Sequence, residues 1–141
     1  MLANFFTLQK KQDKDKDDED RSKLYFKNQH SFEARKHHSA RLLHHYKDRI
    51  PIIVQPSDKE EGLPFMNRCK FLVQKNMTLG DFICMIRREH LQKLKSTEAL
   101  YFLSSKETLM TPQMMVGVLY HENKDDDGFL YLIYSRDTAF G

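Results

Sequence analysis

The residues best placed to do chemistry stand at one end of the chain. Residues 129–134 (FLYLIY) are wholly apolar and run directly into 135–141 (SRDTAFG), a short polar stretch that stops on Gly141. A strand apolar on both faces belongs in the middle of a sheet, so the tail leaves a rigid core. Gly141 lacks a Cβ and can enter a narrow active site where any other residue would clash. That ending suggests a chain whose own carboxylate is a substrate; the alternative is an ordinary frayed terminus.

Other candidate chemistry is weaker. His37, His38, His44 and His45 contain no pair four residues apart with a carboxylate partner, so they read as a hydrated helix face and not as metal ligands. Residues 123–128 (NKDDDG) imitate the opening of a calcium loop, yet the position that should hold a bidentate Glu is Tyr134, which leaves this stretch a turn. There is no phosphate-binding glycine loop, no G-x-S-x-G and no cysteine with an evident histidine partner. The chain is therefore expected to be no enzyme, to need no cofactor or metal, and, with its aromatics at core spacing, to bind no nucleic acid.

The elements that must position such a tail are those of one domain of 141 residues, with a formal net charge of +3. Its folded part could bury roughly two thirds of its unfolded surface, enough for one core without disulfides. Cys69 and Cys84 match no zinc or C-x-x-C spacing and no secretory signal precedes them, so they are expected to be reduced packing residues in the cytoplasm. The charge is unevenly spread. Lys23, Lys27, Arg35, Lys36, Arg41, Lys47 and Arg49 face only Glu33 and Asp48 over 23–49, which predicts a basic surface. No apolar run approaches the ~18 residues of a spanning helix, so membrane association would need a partner or a covalent lipid.

Residues 10–21 (KKQDKDKDDEDR) have nothing to bury and read as a disordered linker. Ahead of them, 1–8 (MLANFFTL) is apolar but no signal peptide, and could dock on the domain or touch a bilayer. The expected organisation is an extension over 1–21 and a domain over 22–141 whose tail, 135–141, is flexible. Ser31 starts an amphipathic helix over 32–46, with Phe32, Ala40, Leu43 and Tyr46 on one face. Strands follow at 49–55 and 68–74, pairing as an antiparallel hairpin. Thr78 and Asp81 cap a helix running to about 95, a short strand covers 99–103, and Thr111-Pro112 opens a last helix before the strand at 129–134. That order predicts an α+β fold, the ubiquitin-like β-grasp. It is a four-stranded mixed sheet in which the last strand lies parallel to the first, the second strand is an edge, and the N-terminal helix covers the open face.

Over 22–141 the chain resembles the GABARAP-type autophagy-related ubiquitin-like modifiers. The resemblance rests on HSFEAR at 30–35, YKDRIPIIV at 46–54, KFLV at 70–73, LGDF at 79–82, DGFLYLIYS at 127–135 and the closing Phe140-Gly141, in this order and spacing. It implies that activating and conjugating enzymes join Gly141 to phosphatidylethanolamine, that Phe140 helps those enzymes and a processing cysteine protease hold the tail, and that the chain ends in its mature form or needs no trimming. It also implies binding of aromatic-x-x-aliphatic peptides from cargo receptors by addition to the second strand. The aromatic pocket would use His38, Leu42, Pro51, Ile53, Lys70, Leu72 and Phe129. The aliphatic pocket would use Phe71, Val73, Met77, Phe82, Met85 and Ile86, while Arg49, Arg68 and Arg87, with Lys70, attract acidic flanks. The chain departs from the family pattern at His38 (commonly acidic), Gln74 (usually proline) and Glu89 (usually basic). The implied setting is the cytoplasm, and the autophagosome or vacuole membrane once lipidated. The alternative is an unconjugated interaction module that binds peptides, or microtubules through its basic helix.

Overall fold

The computed structural model describes residues 20–60, 62–94 and 98–136. Expectations for 1–19 and for the tail beyond Arg136, Phe140 and Gly141 included, lie outside these. Among the described residues the elements run α1 (Phe26–Gln29), α2 (Phe32–His45), β1 (Arg49–Pro56), β2 (Lys70–Gln74), α3 (Leu79–Glu89), β3 (Tyr101–Leu103), α4 (Val116–Asn123) and β4 (Leu130–Ser135). The strands form one sheet in the order β2-β1-β4-β3. β1 pairs antiparallel with β2 (Ile52 opposite Phe71) and parallel with β4 (Ile53 opposite Tyr131), and β3 pairs antiparallel with β4. This is the expected ubiquitin-like arrangement, with the apolar last strand central and β2 at an edge.

Alternation along β1 divides its side chains between two cores. Ile50, Ile52 and Val54 face α3, where Leu79, Phe82 and Ile86, spaced for one helical face, meet Phe71 and Val73 of β2 and Leu130, Leu132 and Tyr134 of β4. Ile53 faces the opposite way and joins Phe129, Tyr131 and Phe26 beneath Leu42 of α2. Helix starts follow their caps: the Ser31 hydroxyl accepts from the Ala34 amide and the Thr78 hydroxyl from the Asp81 amide, each at 3.2 Å.

Four expectations are corrected. Thr111-Pro112 opens no helix, because its neighbourhood satisfies the first turn of α3: the Leu79 amide donates to the Met114 carbonyl and the Gly80 amide to the Pro112 carbonyl, both at 2.9 Å. A Cβ on Gly80 would come within 3.3 Å of that Pro112 oxygen. The helix from Leu79 stops at Glu89, short of 95. Cys84 is exposed and not a packing residue, whereas Cys69 is half-buried and burial pushes its thiol pKa up.

The largest difference concerns α2. Phe32 and Tyr46 are exposed, and the residues turned inward are Arg35 and Ser39, which are polar. They meet the 123–128 turn. Asp127, fully buried, accepts from the Phe129 amide at 2.9 Å and from the Tyr131 hydroxyl at 2.5 Å. Its Oδ2 lies 3.2 Å from Arg35 Nε, an ion pair without an aligned hydrogen bond, and its carbonyl accepts from Ser39 Oγ at 2.5 Å. Burial first, and then the bond to Asp127, raises the Tyr131 pKa far above its ordinary value. Gly128 completes the turn at φ +90°, where a Cβ would run into Ser39 Oγ and sit 3.0 Å from its Cβ. At the same turn Asp125 binds Lys27 at 2.8 Å. Burial alone would push the Asp125 carboxyl up, but the Lys27 ammonium, the Asp127 amide and the Ser105 hydroxyl together hold it below the usual carboxylate range.

Candidate functional site

The outer edge of β2 is the place where this sheet can accept another strand. The Val54 amide donates to the Cys69 carbonyl and the Lys75 amide to the Asp48 carbonyl. In an antiparallel ladder the backbone groups alternate, so residues 69, 71, 73 and 75 turn theirs toward β1, while Lys70 and Leu72 turn theirs outward. Among the described residues no strand pairs there. Side chains alternate as well. Lys70 and Leu72, opposite Ile53 and Pro51, lie on the α2 face of the sheet, and Phe71 and Val73 lie on the α3 face. An extended ligand on this edge would therefore meet one apolar surface above the sheet and another below it.

On the α2 face the structure brings together the residues expected for an aromatic pocket. Pro51, Ile53 and Phe129 are buried and form a floor; His38, Leu42 and Leu72 are half-buried and form the accessible wall. The His38 and Phe129 rings lie 5.9 Å apart. Lys70 Nζ stands 2.8 Å from His38 Nε2, so the neutral imidazole accepts from the ammonium. Partial burial, then the Lys70 charge, then Arg41 and the neighbouring histidines His30 and His37 push the His38 pKa below its ordinary 6.5.

The lowered value sets a pH dependence. Above the ordinary range both folded and unfolded chains hold His38 neutral. As pH falls toward the lowered folded value, the unfolded chain takes the proton first, and stability decreases. Urea midpoints measured at neutral and mildly acidic pH are expected to fall more for the wild type than for His38→Gln. Equal falls would remove His38 from the acid response.

On the α3 face, Phe71, Val73, Phe82 and Ile86 are core residues, and Met77 and Met85 are the half-buried members open to a ligand. Phe71 packs edge-on to Phe82 at 5.5 Å and to His90 at 5.3 Å. Arg68 spans the two surfaces: its guanidinium lies 4.8 Å from the Phe71 ring centre and its Nε donates to the Lys70 carbonyl at 2.8 Å. Arg49 shares the Lys70 face at the far end of β1, and Arg87 is half-buried on α3. The expected pocket residues thus gather around one edge, but three of the seven aromatic-pocket residues and four of the six aliphatic-pocket residues are floor and not wall.

Phe26 and His90 were invisible to sequence reasoning, since Phe26 sits in a four-residue helix with no period and His90 is the C-cap of α3. Phe26 closes the aromatic floor against Phe129 at 5.1 Å. A cleft of about 470 Å³ lies elsewhere, between Lys36, Leu43 and Tyr120 and the turn at Asp125–Gly128; its lining mixes three lysines with carboxylates and presents no single chemistry.

The model of one protein family, described as "Autophagy protein Atg8 ubiquitin like", matches residues 34–141. Autophagy-related protein 8A of Oryza sativa subsp. indica is 39% identical over 117 residues, 82% of this chain and 94% of that one. Autophagy-related protein 8 of Mycosarcoma maydis is 39% identical over 116 residues, 82% and 95% of the two chains. The crystal structure of Trypanosoma brucei ATG8 is similar with a TM-score of 0.69 and 32% identity, covering 78% of this chain and 91% of that one.

Proposed function

The chain belongs to the autophagy protein Atg8 ubiquitin-like family, and from that premise we propose that it is joined through Gly141 to phosphatidylethanolamine and, so anchored, receives aromatic-x-x-aliphatic peptides of cargo receptors on the edge of β2. The observation that carries the peptide role is the β2 edge itself, with outward backbone groups at Lys70 and Leu72 and an apolar surface on either side. Strand addition supplies main-chain hydrogen bonds, and the two surfaces select alternate side chains. Arg49, Arg68, Lys70 and Arg87 would favour acidic flanks and speed encounter more than they tighten binding.

Conjugation is supported by the family match, which extends through Gly141, and by the central, apolar β4 that delivers the tail from a rigid core. The steps would be activation of the Gly141 carboxylate by ATP to an acyl adenylate with loss of pyrophosphate, transfer to a cysteine of the activating enzyme as a thioester with release of AMP, thioester exchange onto a cysteine of the conjugating enzyme, and amide formation with the lipid amine as that last thiol leaves. Phe140 would help those enzymes hold the tail. The family is one of modifiers, and the catalytic groups belong to its enzymes. No described helix is long and apolar enough to cross a membrane, so the lipid would carry the protein from the cytoplasm to the autophagosome or vacuole membrane.

The test is the intact mass of the chain after incubation with active conjugation enzymes from the same organism, ATP and phosphatidylethanolamine liposomes. The expected result is a gain of one lipid less one water on the wild type and none on Gly141→Ala. An unmodified wild type, with a control substrate converted, would favour an unconjugated module that binds peptides or microtubules.

A further inference from the structure

We infer that residues 1–8 of this chain dock on the edge of its own β2, with Phe5 and Leu8 occupying the two apolar surfaces, so that the chain carries a tethered, displaceable competitor for peptide. The inference rests on the peptide-docking reading of that edge and adds its regulation. The edge offers outward backbone groups at Lys70 and Leu72, and an open wall on each side, at Leu72 and Leu42 on one face and Met77 and Met85 on the other. An occupant must be extended, apolar at two separated positions, and free of proline. Residues 1–8 (MLANFFTL) meet each requirement: they hold no charged side chain and no proline, and Phe5-x-x-Leu8 is an aromatic-x-x-aliphatic sequence. Residues 10–21, which follow, contain no apolar side chain that could compete for the same surfaces.

The chain enters the domain on the right side for this. Arg21 lies with its guanidinium 5.0 Å from the ring centre of Phe65, in the loop leading to β2, and Tyr25 packs on the same ring at 4.9 Å. Phe26 then joins the floor beneath the aromatic surface. Residues 9–19 separate Leu8 from the first described residue, and an extended chain of that length spans about 36–40 Å, longer than β2 by a wide margin.

The charges make the contact weak enough to yield. Lys10 and Lys11 follow Leu8 after one residue, Gln9, and would lie near Arg68 and Lys70, whereas an external peptide with acidic flanks meets the same cations favourably. Tethering offsets that weakness. A flexible link of this length gives an effective concentration of the order of millimolar. A segment with an intrinsic dissociation constant near 0.1 mM would then occupy its site about ten to one and weaken an external peptide about tenfold.

The test compares the full chain with its Phe5→Ala/Leu8→Ala variant by fluorescence anisotropy of a labelled peptide with a Trp-x-x-Leu core and acidic flank. Alongside, the backbone amide resonances of Lys70–Gln74 are recorded without peptide at several protein concentrations. The variant is expected to bind the peptide about tenfold more tightly, with β2 amides displaced from their wild-type positions by an amount that dilution does not change. Equal affinities, or β2 amides that do not move, overturn the inference. A displacement that vanishes on dilution also overturns it, because the occupant is then a second copy. If the peptide binds neither chain, the peptide-docking reading fails, and the β2 amides still decide whether the N-terminal segment lies on the edge.

Discussion

Asp127→Ala is expected to destabilise the fold by about 3–5 kcal/mol, the cost of leaving a buried charge without its partner. The Arg35 side chain is 9% exposed and its Nε lies 3.2 Å from Asp127 Oδ2; with that carboxylate gone, the largely buried guanidinium loses its counter-charge. The same substitution strips the Phe129 amide of its acceptor and the Tyr131 hydroxyl of its partner, and each loss adds to the penalty. Asp127→Asn, which keeps one of the two oxygen acceptors but not the charge, should cost less. The measurement is the urea midpoint with the slope held as a check on the unfolded state. If the charge is the cause, Arg35→Met in the Asp127→Ala background recovers part of the loss, a coupling that a double-mutant cycle isolates. An unchanged midpoint for Asp127→Ala would show that the network contributes nothing.

Leu72→Pro is expected to weaken an aromatic-x-x-aliphatic peptide between tenfold and a hundredfold, roughly 1.4–2.7 kcal/mol, while leaving the sheet in place. Proline is tolerated on an edge strand where its missing N–H would have pointed to solvent, and Leu72 is such a position because the neighbouring amides at Phe71 and Val73 serve β1. Leu72→Ala removes the same apolar contact but keeps the donor, so the difference between the two variants measures strand addition alone. Affinity is read by titration, and folding by the urea midpoint of each variant. Equal affinities for Leu72→Pro and Leu72→Ala would mean that peptides are held by side chains without pairing to β2.

The two predictions test features that the sequence disclosed unequally. An unbroken apolar run marked β4, β-branched residues marked β1, and the Thr78–Asp81 cap with apolar spacing marked α3. Those signals depend on neighbours close in sequence. The inward face of α2 gave none, since Arg35 and Ser39 look like solvated positions beside Phe32 and Leu43. They are buried only because Asp127, some ninety positions further along the chain, supplies the charge and the carbonyl that make burial tolerable. The Thr111-Pro112 start failed for a related reason: a good local cap signal lost to the amides of α3, which needed the carbonyls of Pro112 and Met114.

What the sequence determined by itself was the order of elements and the centrality of the last strand, because hydrophobic period and cap chemistry are local and survive in any context; the residues expected around β2 came from the resemblance of its motifs to a known family. Tertiary structure alone decided which of those residues are floor and which are wall, and that His38 is held by Lys70. It also decided which backbone groups of β2 face outward. Burial and pairing belong to contacts between segments far apart in the chain, and Ile53 and Leu72, alike in sequence, differ in exposure only because Phe26 and Phe129 close over one and nothing among the described residues pairs beyond the other.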